Sequence, residues 1–227
     1  MVSGRAHACL LRWYLAVLRD QEFLSSLGFS TMLATAATML SLALGVPAAI
    51  VLTRGHFVGR QLVTDLLLSP LIFPALVIGL ALLQLFSALR WQDARLTLVI
   101  AHGVITVPYI IRTVTASLMM VNPSLEEAAR TLGATRLRTF WHVILPQIAS
   151  GVAAGSIFAF MVSFDDYPVA MWLANSLYLP VSLLLFSRIG TVFDPSVAAM
   201  STVMILVAVA VVAVLERLVG IRRAMTM

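Results

Sequence analysis

The chain has 227 residues, 61% hydrophobic and 11% charged, with a mean hydropathy of +1.01; this is the composition of a polytopic membrane protein and excludes an ordinary soluble domain. A formal net charge of +5 would suit a nucleic-acid binder, but the arginines sit mainly in loops beside apolar runs, where membrane topology accounts for them, and no nucleic-acid partner is expected. All fifteen basic residues are arginine, so the chain can carry neither the lysine of a standard phosphate-binding P-loop nor a lysine Schiff base.

In chain order, residues 1–22 carry Arg5, Arg12, Arg19, Asp20 and Glu22 around an apolar patch, Ala8 to Leu18, that is too short to span a bilayer and lacks the pattern of a signal peptide. This segment is expected to lie outside or at the interface, and its single cysteine, Cys9, can form no internal disulfide. Charge-free runs then predict five spans: 23–53, 66–89, 96–111 continuing past Arg112 to about 120, 143–164 and 195–215. The expected fold is therefore all-α, a polytopic helix bundle whose transmembrane domain covers 23–220, with a tail at 221–227. One side of the bundle collects nine arginines (54, 60, 112, 130, 136, 138, 217, 222 and 223), whereas loops 90–95 and 165–194 on the other carry Arg90, Arg95 and Arg188 against Asp93, Asp165, Asp166 and Asp194. The positive-inside rule puts the first side, with the C-terminus, in the cytoplasm.

Several spans carry residues that disturb a helix. Pro70 and Pro74 fall in the second, His102, Gly103 and Pro108 in the third, and each proline frees a carbonyl that protein or water must satisfy. Such breaks either face a cavity or serve packing. His102 reads as a packed, hydrogen-bonded histidine, because no second titratable residue accompanies it within the spans.

Between the third and fourth spans lies the longest polar stretch, SLEEAARTLGATRLRTFWHVILP, from Ser124 to Pro146. Ser124-x-x-Glu127 predicts a capping box that opens a short helix, and Gly133 predicts a break. Leu137, Phe140, Trp141 and Ile144 recur at helical spacing and predict a second, amphipathic helix. The fourth span presents Gly151, Gly155 and Ala159 as a close-packing row, facing either another helix of this chain or a second subunit. It ends at Asp165-Asp166, adjacent carboxylates that do not share a helix face; at an outer mouth they would favour cations, or they are solvated loop charges. Residues 167–194 read as an external loop with a short helix lying against the bundle.

Glu127-Ala128-Ala129, Gly133-Ala134, Phe140, Val143 and Leu145-Pro146 together resemble the EAA loop of the transmembrane subunit of type I binding-protein-dependent ABC importers. The bent second and third spans, Asp165-Asp166, Leu179-Pro180-Val181 and Phe193-Asp194-Pro195-Ser196 are similar to the spermidine and putrescine branch. The resemblance implies a permease of the cytoplasmic (inner) membrane that works by alternating access. Its EAA loop, 121–146, would be cytoplasmic and would couple to a separate ATPase through Glu127, Ala128, Ala129, Gly133, Ala134, Phe140, Leu145 and Pro146. Pro74, His102, Pro108, Asp165 and Asp166 would belong to the translocation pathway.

The implied partners are two ABC ATPase subunits holding ATP and magnesium, a second permease subunit, identical or homologous, an external substrate-binding protein, membrane lipid and a small solute. No cofactor or metal on this chain is implied. The family usually has six spans, so the first is missing here, either because the chain begins late or because this is a five-helix form. A polyamine-like cation is the expected solute; an opine, an amino-acid-like compound or a metal chelate are alternatives. From other classes, an intramembrane hydrolase lacks its G-x-S-x-G or H-E-x-x-H signature, and a passive channel or scaffold would need no ATPase.

Overall fold

The computed structural model describes residues 12–191 and 195–219, and all regular structure among them is helical. Cys9, the Phe193-Asp194 pair and the tail at 221–227 lie outside the described residues. A short helix α1 at 12–17 leads into α2 (Gln21–Arg54), which starts where the Asp20 carboxylate accepts the backbone N–H groups of Glu22 and Phe23. Then follow α3 (Arg60–Leu68), a 3₁₀ turn (Ser69–Leu71), α4 (Ala75–Ala88) and α5 (Ala94–Met120), the last capped by Asp93 in the same way as α2. After α5 come α6 (Pro123–Thr131), α7 (Arg136–Thr139), a π turn (Phe140–Ile144), α8 (Leu145–Gln147) and α9 (Ala149–Phe164). The chain closes with α10 (Ala170–Leu173), α11 (Val181–Thr191) and α12 (Pro195–Val219).

Among the described residues three helices, α2, α5 and α12, are long and apolar enough to cross a membrane unbroken, and two bent pairs raise the number to five where each counts as one span. The bends correct the expected spans. The charge-free run 66–89 is not one helix: α3 with its 3₁₀ turn meets α4 at 106°. Pro70 lies in the 3₁₀ turn and Pro74 immediately precedes α4 with extended ψ, because a proline cannot continue the helix behind it and restricts the residue before it. Likewise, the run 143–164 is broken at Ile148, where residues 136–147 meet α9 at 74°.

Helices α2, α5 and α9 form the centre of the bundle, and small residues set how closely they approach. A Cβ at Gly45 would lie 2.8 Å from the Ile110 side chain, and one at Gly103 2.7 Å from Leu40. Gly151 and Gly155 face Thr113 and Ser117 of α5 with no room for a Cβ, so the close-packing row serves a helix of this same chain. Hydroxyl groups pair in this interior: Ser41 Oγ lies 2.7 Å from Thr106 Oγ1, and Thr106 donates to the His102 carbonyl at 2.6 Å. Pro108 is buried in α5, which continues through it to Met120.

The loop 165–194 contains two short helices in place of the one expected. Helix α10 packs on α4 and α5, with Gly79 of α4 so near Val169 and Trp172 that a Cβ would reach within 2.9 Å of the Val169 backbone. Helix α11 lies against α2 and α12, tied to the start of α2 by Arg188, which pairs with Asp20 at 3.0 Å and Glu22 at 2.7 Å. Burial works against the Arg188 charge, but hydrogen bonds and the negative charges of Glu22 and Asp20 outweigh it and hold its pKa above the ordinary arginine value.

Candidate functional site

The polar stretch between α5 and α9 folds as a knob at the Arg54 end of the bundle. Its first helix, α6, begins two residues before the start that the capping box predicted: Asn122, not Ser124, is the cap, its side chain accepting the Ser124 N–H at 3.1 Å with Pro123 in the first turn. Pro123 makes this start favourable, since its fixed φ suits a helix and its missing N–H would have been unpaired there anyway.

The other end of α6 is as expected. Gly133 has φ +85°, the Ala134 N–H donates to the Ala129 carbonyl at 3.1 Å and the Gly133 N–H to that of Arg130 at 3.0 Å. This is a Schellman motif, in which a left-handed residue lets two N–H groups satisfy the last carbonyls of a helix, and a glycine adopts that conformation without Cβ strain. Thr135 then caps α7, accepting the Arg138 N–H at 3.3 Å.

The second helix of the knob differs from expectation. Its middle is a π turn, closed by the Leu145 N–H donating to the Phe140 carbonyl five residues back. The wider turn breaks the 3.6-residue register, so the predicted apolar face splits. Ile144 turns inward and is buried with Ile148 among residues of α2 and α5, and Phe140 packs at their edge. Leu137 is 68% exposed and Trp141 56%, and Leu132 between the two helices is 89% exposed. Glu127 and Ala128 are exposed and Ala129 is half-buried; Ala134 and Leu145 are half-buried, while Pro146 is exposed. All eight residues expected to act in coupling therefore fall on or beside one knob. Its outer surface offers large apolar side chains that no described part of the chain covers.

Behind the knob, the Arg54 guanidinium at the end of α2 reaches Glu126 of α6 at 3.0 Å and the Leu118 and Val121 carbonyls at 3.3 and 3.1 Å. Sequence reading missed this contact: Arg54 counted only as a loop charge, and its partners lie more than sixty residues away in the chain.

The five residues expected along a pathway do not come together. Pro74 is exposed at the bend before α4, Pro108 is buried within α5, and only His102 and Asp166 meet. The expectation that His102 has no titratable companion is overturned: its Nε2 lies 3.8 Å from Asp166 Oδ2, and its Nδ1 lies 2.8 Å from Ser163 Oγ. Asp166 is likewise no solvated loop charge. It is 7% exposed, accepts the Val169 and Ala170 N–H groups at 3.1 and 3.0 Å, and through its backbone carbonyl accepts the Ser182 hydroxyl at 2.7 Å.

Its neighbour Asp165 is exposed beside it, and both line a cavity of about 540 Å³ with Met161, Pro168 and Met204. A serine, a histidine and an aspartate in contact would be the minimum set for a hydrolase. Here Ser163 is 3% and His102 1% exposed, so no substrate reaches the serine and the cluster is a brace among α5, α9 and α10.

Comparison with known proteins accords with this architecture. Residues 41–223 match the family described as binding-protein-dependent transport system inner membrane component. The chain is 34% identical over 201 residues, 86% of its length and 72% of the relative's, to the putrescine transport system permease protein PotI of Escherichia coli (strain K12). It is 30% identical, over 88% of the chain and 78% of the relative, to the spermidine/putrescine transport system permease protein PotC of Haemophilus influenzae. To the sulfate transport system permease protein CysT of Salmonella typhimurium it is 29% identical, over 85% and 75% respectively.

Among solved structures, a bacterial ABC transporter involved in import of the acidic polysaccharide alginate shares the fold with a TM-score of 0.66 at 19% identity, covering 91% of this chain and 77% of that one. The MetNI methionine ABC transporter gives 0.63 at 14% identity, covering 89% and 95%. The extent of the family match and the level of identity to these permeases show that the chain belongs to the inner-membrane components of binding-protein-dependent transport systems and is a multi-pass permease subunit of an ABC importer.

Proposed function

We propose that this permease moves a polyamine-like cation into the cytoplasm, and that the knob of residues 121–146 is where a separate ATPase drives it. The observation that carries the second part is the uncovered apolar surface of the knob, Leu132, Leu137 and Trp141, beside a helix end shaped by Gly133. Apolar groups presented together on a polar projection mark a protein contact, and aromatic residues are frequent anchors there. With no lysine in the chain to serve a standard P-loop, the nucleotide and its magnesium sit on the partner. The working assembly has two such ATPases, a second permease subunit, identical or homologous, and an external binding protein that delivers the solute. The knob and C-terminus face the cytoplasm, as the arginine distribution favours.

For the solute, the putrescine and spermidine permeases among the relatives favour a polyamine, and the exposed Asp165 beside the buried Asp166 is suited to cations. The similarity to sulfate permeases keeps an anionic solute as the second reading, and an opine, an amino-acid-like compound or a metal chelate stand behind it.

Two experiments test these points. Gly133→Asp breaks the left-handed cap and adds charge to the knob, so it should abolish uptake and ATPase binding at normal membrane levels; unchanged uptake would reject the coupling role. Putrescine or spermidine should raise the melting temperature of the cognate binding protein, whereas a shift by sulfate alone would favour the second reading.

A further inference from the structure

Helix α6, the first half of the knob, buries none of its residues, so apolar packing does not fasten it to the bundle. Among the described residues, the Arg54–Glu126 pair is the one ion pair between knob and bundle. It is more than a pair. Arg54 Nε lies 3.1 Å and Nη2 3.0 Å from Glu126 Oε1, and Nη2 also donates to the carbonyls of Leu118 and Val121 at the end of α5. The Leu118 carbonyl also accepts the Val121 N–H at 3.2 Å, Val121 is the C-cap residue that ends α5, and a cation at this C-terminus complements the helix dipole. One guanidinium therefore joins the ends of α2 and α5 to the start of the knob, with side-chain exposure of only 24% for Arg54 and 18% for Glu126. Beside this junction lies a cavity of about 580 Å³, bounded by Ile50, Val51, Arg136, Phe140 and Ile144, which leaves room for α6 to move relative to α2.

We propose that Arg54 is a positioning residue for transport: it carries displacement of α6 to α2 and α5 together, so that a push on the knob moves two spans as one unit. The proposal deepens the coupling role argued above and rests on it. A lysine does not replace the arginine, because an ammonium lacks the rigid planar fork that serves a carboxylate and two carbonyls at once. Glu126 precedes the EAA triplet, and its part is to hold the tether, while the exposed surface of the knob makes the contact with the ATPase.

The test uses the complete transporter in proteoliposomes, with solute uptake and ATP hydrolysis measured in the same vesicles. Glu126→Ala frees only the knob, leaving Arg54 on the α5 carbonyls; Arg54→Ala frees both. Each is expected to retain ATPase binding and hydrolysis while uptake per ATP falls tenfold or more. Arg54→Lys should recover only a small part of that ratio, and the double variant should be no worse than Arg54→Ala, because both changes remove the same contact. A wild-type ratio in Glu126→Ala would overturn the proposal. So would a fall in assembly that lowers hydrolysis and uptake in parallel, which is the signature of a structural brace. Should Arg54→Ala fail to accumulate, Glu126→Gln decides by the same ratio. Failure of the unsubstituted chain to engage an ATPase would instead remove the coupling role itself, before any variant is compared.

Discussion

Asp166 has four partners that tie three helices: its carboxylate accepts the Val169 and Ala170 N–H groups that open α10 and faces His102 of α5, and its carbonyl holds Ser182 of α11. Removing a buried acceptor leaves two N–H groups without partners, at a cost of about 1–3 kcal/mol each where no water replaces it. Asp166→Ala should therefore lower the melting temperature of the purified protein by several degrees, while Asp166→Asn, which keeps an acceptor oxygen, should lose less; equal melting of all three would show that the cap contributes nothing. The same residue marks what a sequence can show at this scale. Gly133 was legible, because the need for a left-handed residue after a helix is local and only certain residues meet it cheaply. The burial of Asp166 was not, because part of its environment is His102, 64 positions earlier on another helix, and an Asp-Asp pair after an apolar run looks the same whether it is wet or enclosed.

At the scale of elements, the existence of the spans was readable and their direction was not. Hydropathy records that residues 66–89 are apolar but not that the chain turns by 106° within them; Pro70 and Pro74 were the only local signs. The knob was found as a two-helix unit with its break at Gly133, yet the π turn at Phe140–Ile144 rotated the predicted apolar face, and nothing in a 3.6-residue pattern announces a five-residue closure.

The glycine row of α9 makes a sharper element-level prediction. Thr113 and Ile110 occupy the space a side chain at Gly155 would need, whereas Gly28 of α2 has nothing within 4 Å. Gly155→Leu should force α9 from α5, at a cost of about 1–3 kcal/mol or more from overpacking, and sharply reduce the folded protein recovered from membranes. Gly28→Ala should leave recovery and melting unchanged. Equal recovery of the two variants would mean that the α5–α9 contact does not limit folding.

For the molecule as a whole, two features point outward from a single chain. Helix α4 has 14 residues, about 21 Å at 1.5 Å per residue, short of the roughly 30 Å hydrocarbon layer, and only Gly79 and Phe86 on it are buried. The non-helical backbone at its start cannot face lipid, since no water is there to satisfy its polar groups, so a protein surface or an aqueous path must cover it. This is how a permease half would look if its pathway were completed by a second subunit.

The second feature is polarity of charge across the bundle, which gives the orientation its test. Arginines gather at the knob end and the carboxylates Asp93, Asp165 and Asp166 at the other. With Cys9 replaced, a thiol introduced as Thr131→Cys on α6 should react with a membrane-impermeant reagent in inverted vesicles and not in intact spheroplasts, and Ser176→Cys, exposed between α10 and α11, should do the reverse. The opposite labelling pattern would turn the molecule over. It would then place the knob beyond the reach of any cytoplasmic ATPase, whatever the apolar surface of Leu132, Leu137 and Trp141 contacts.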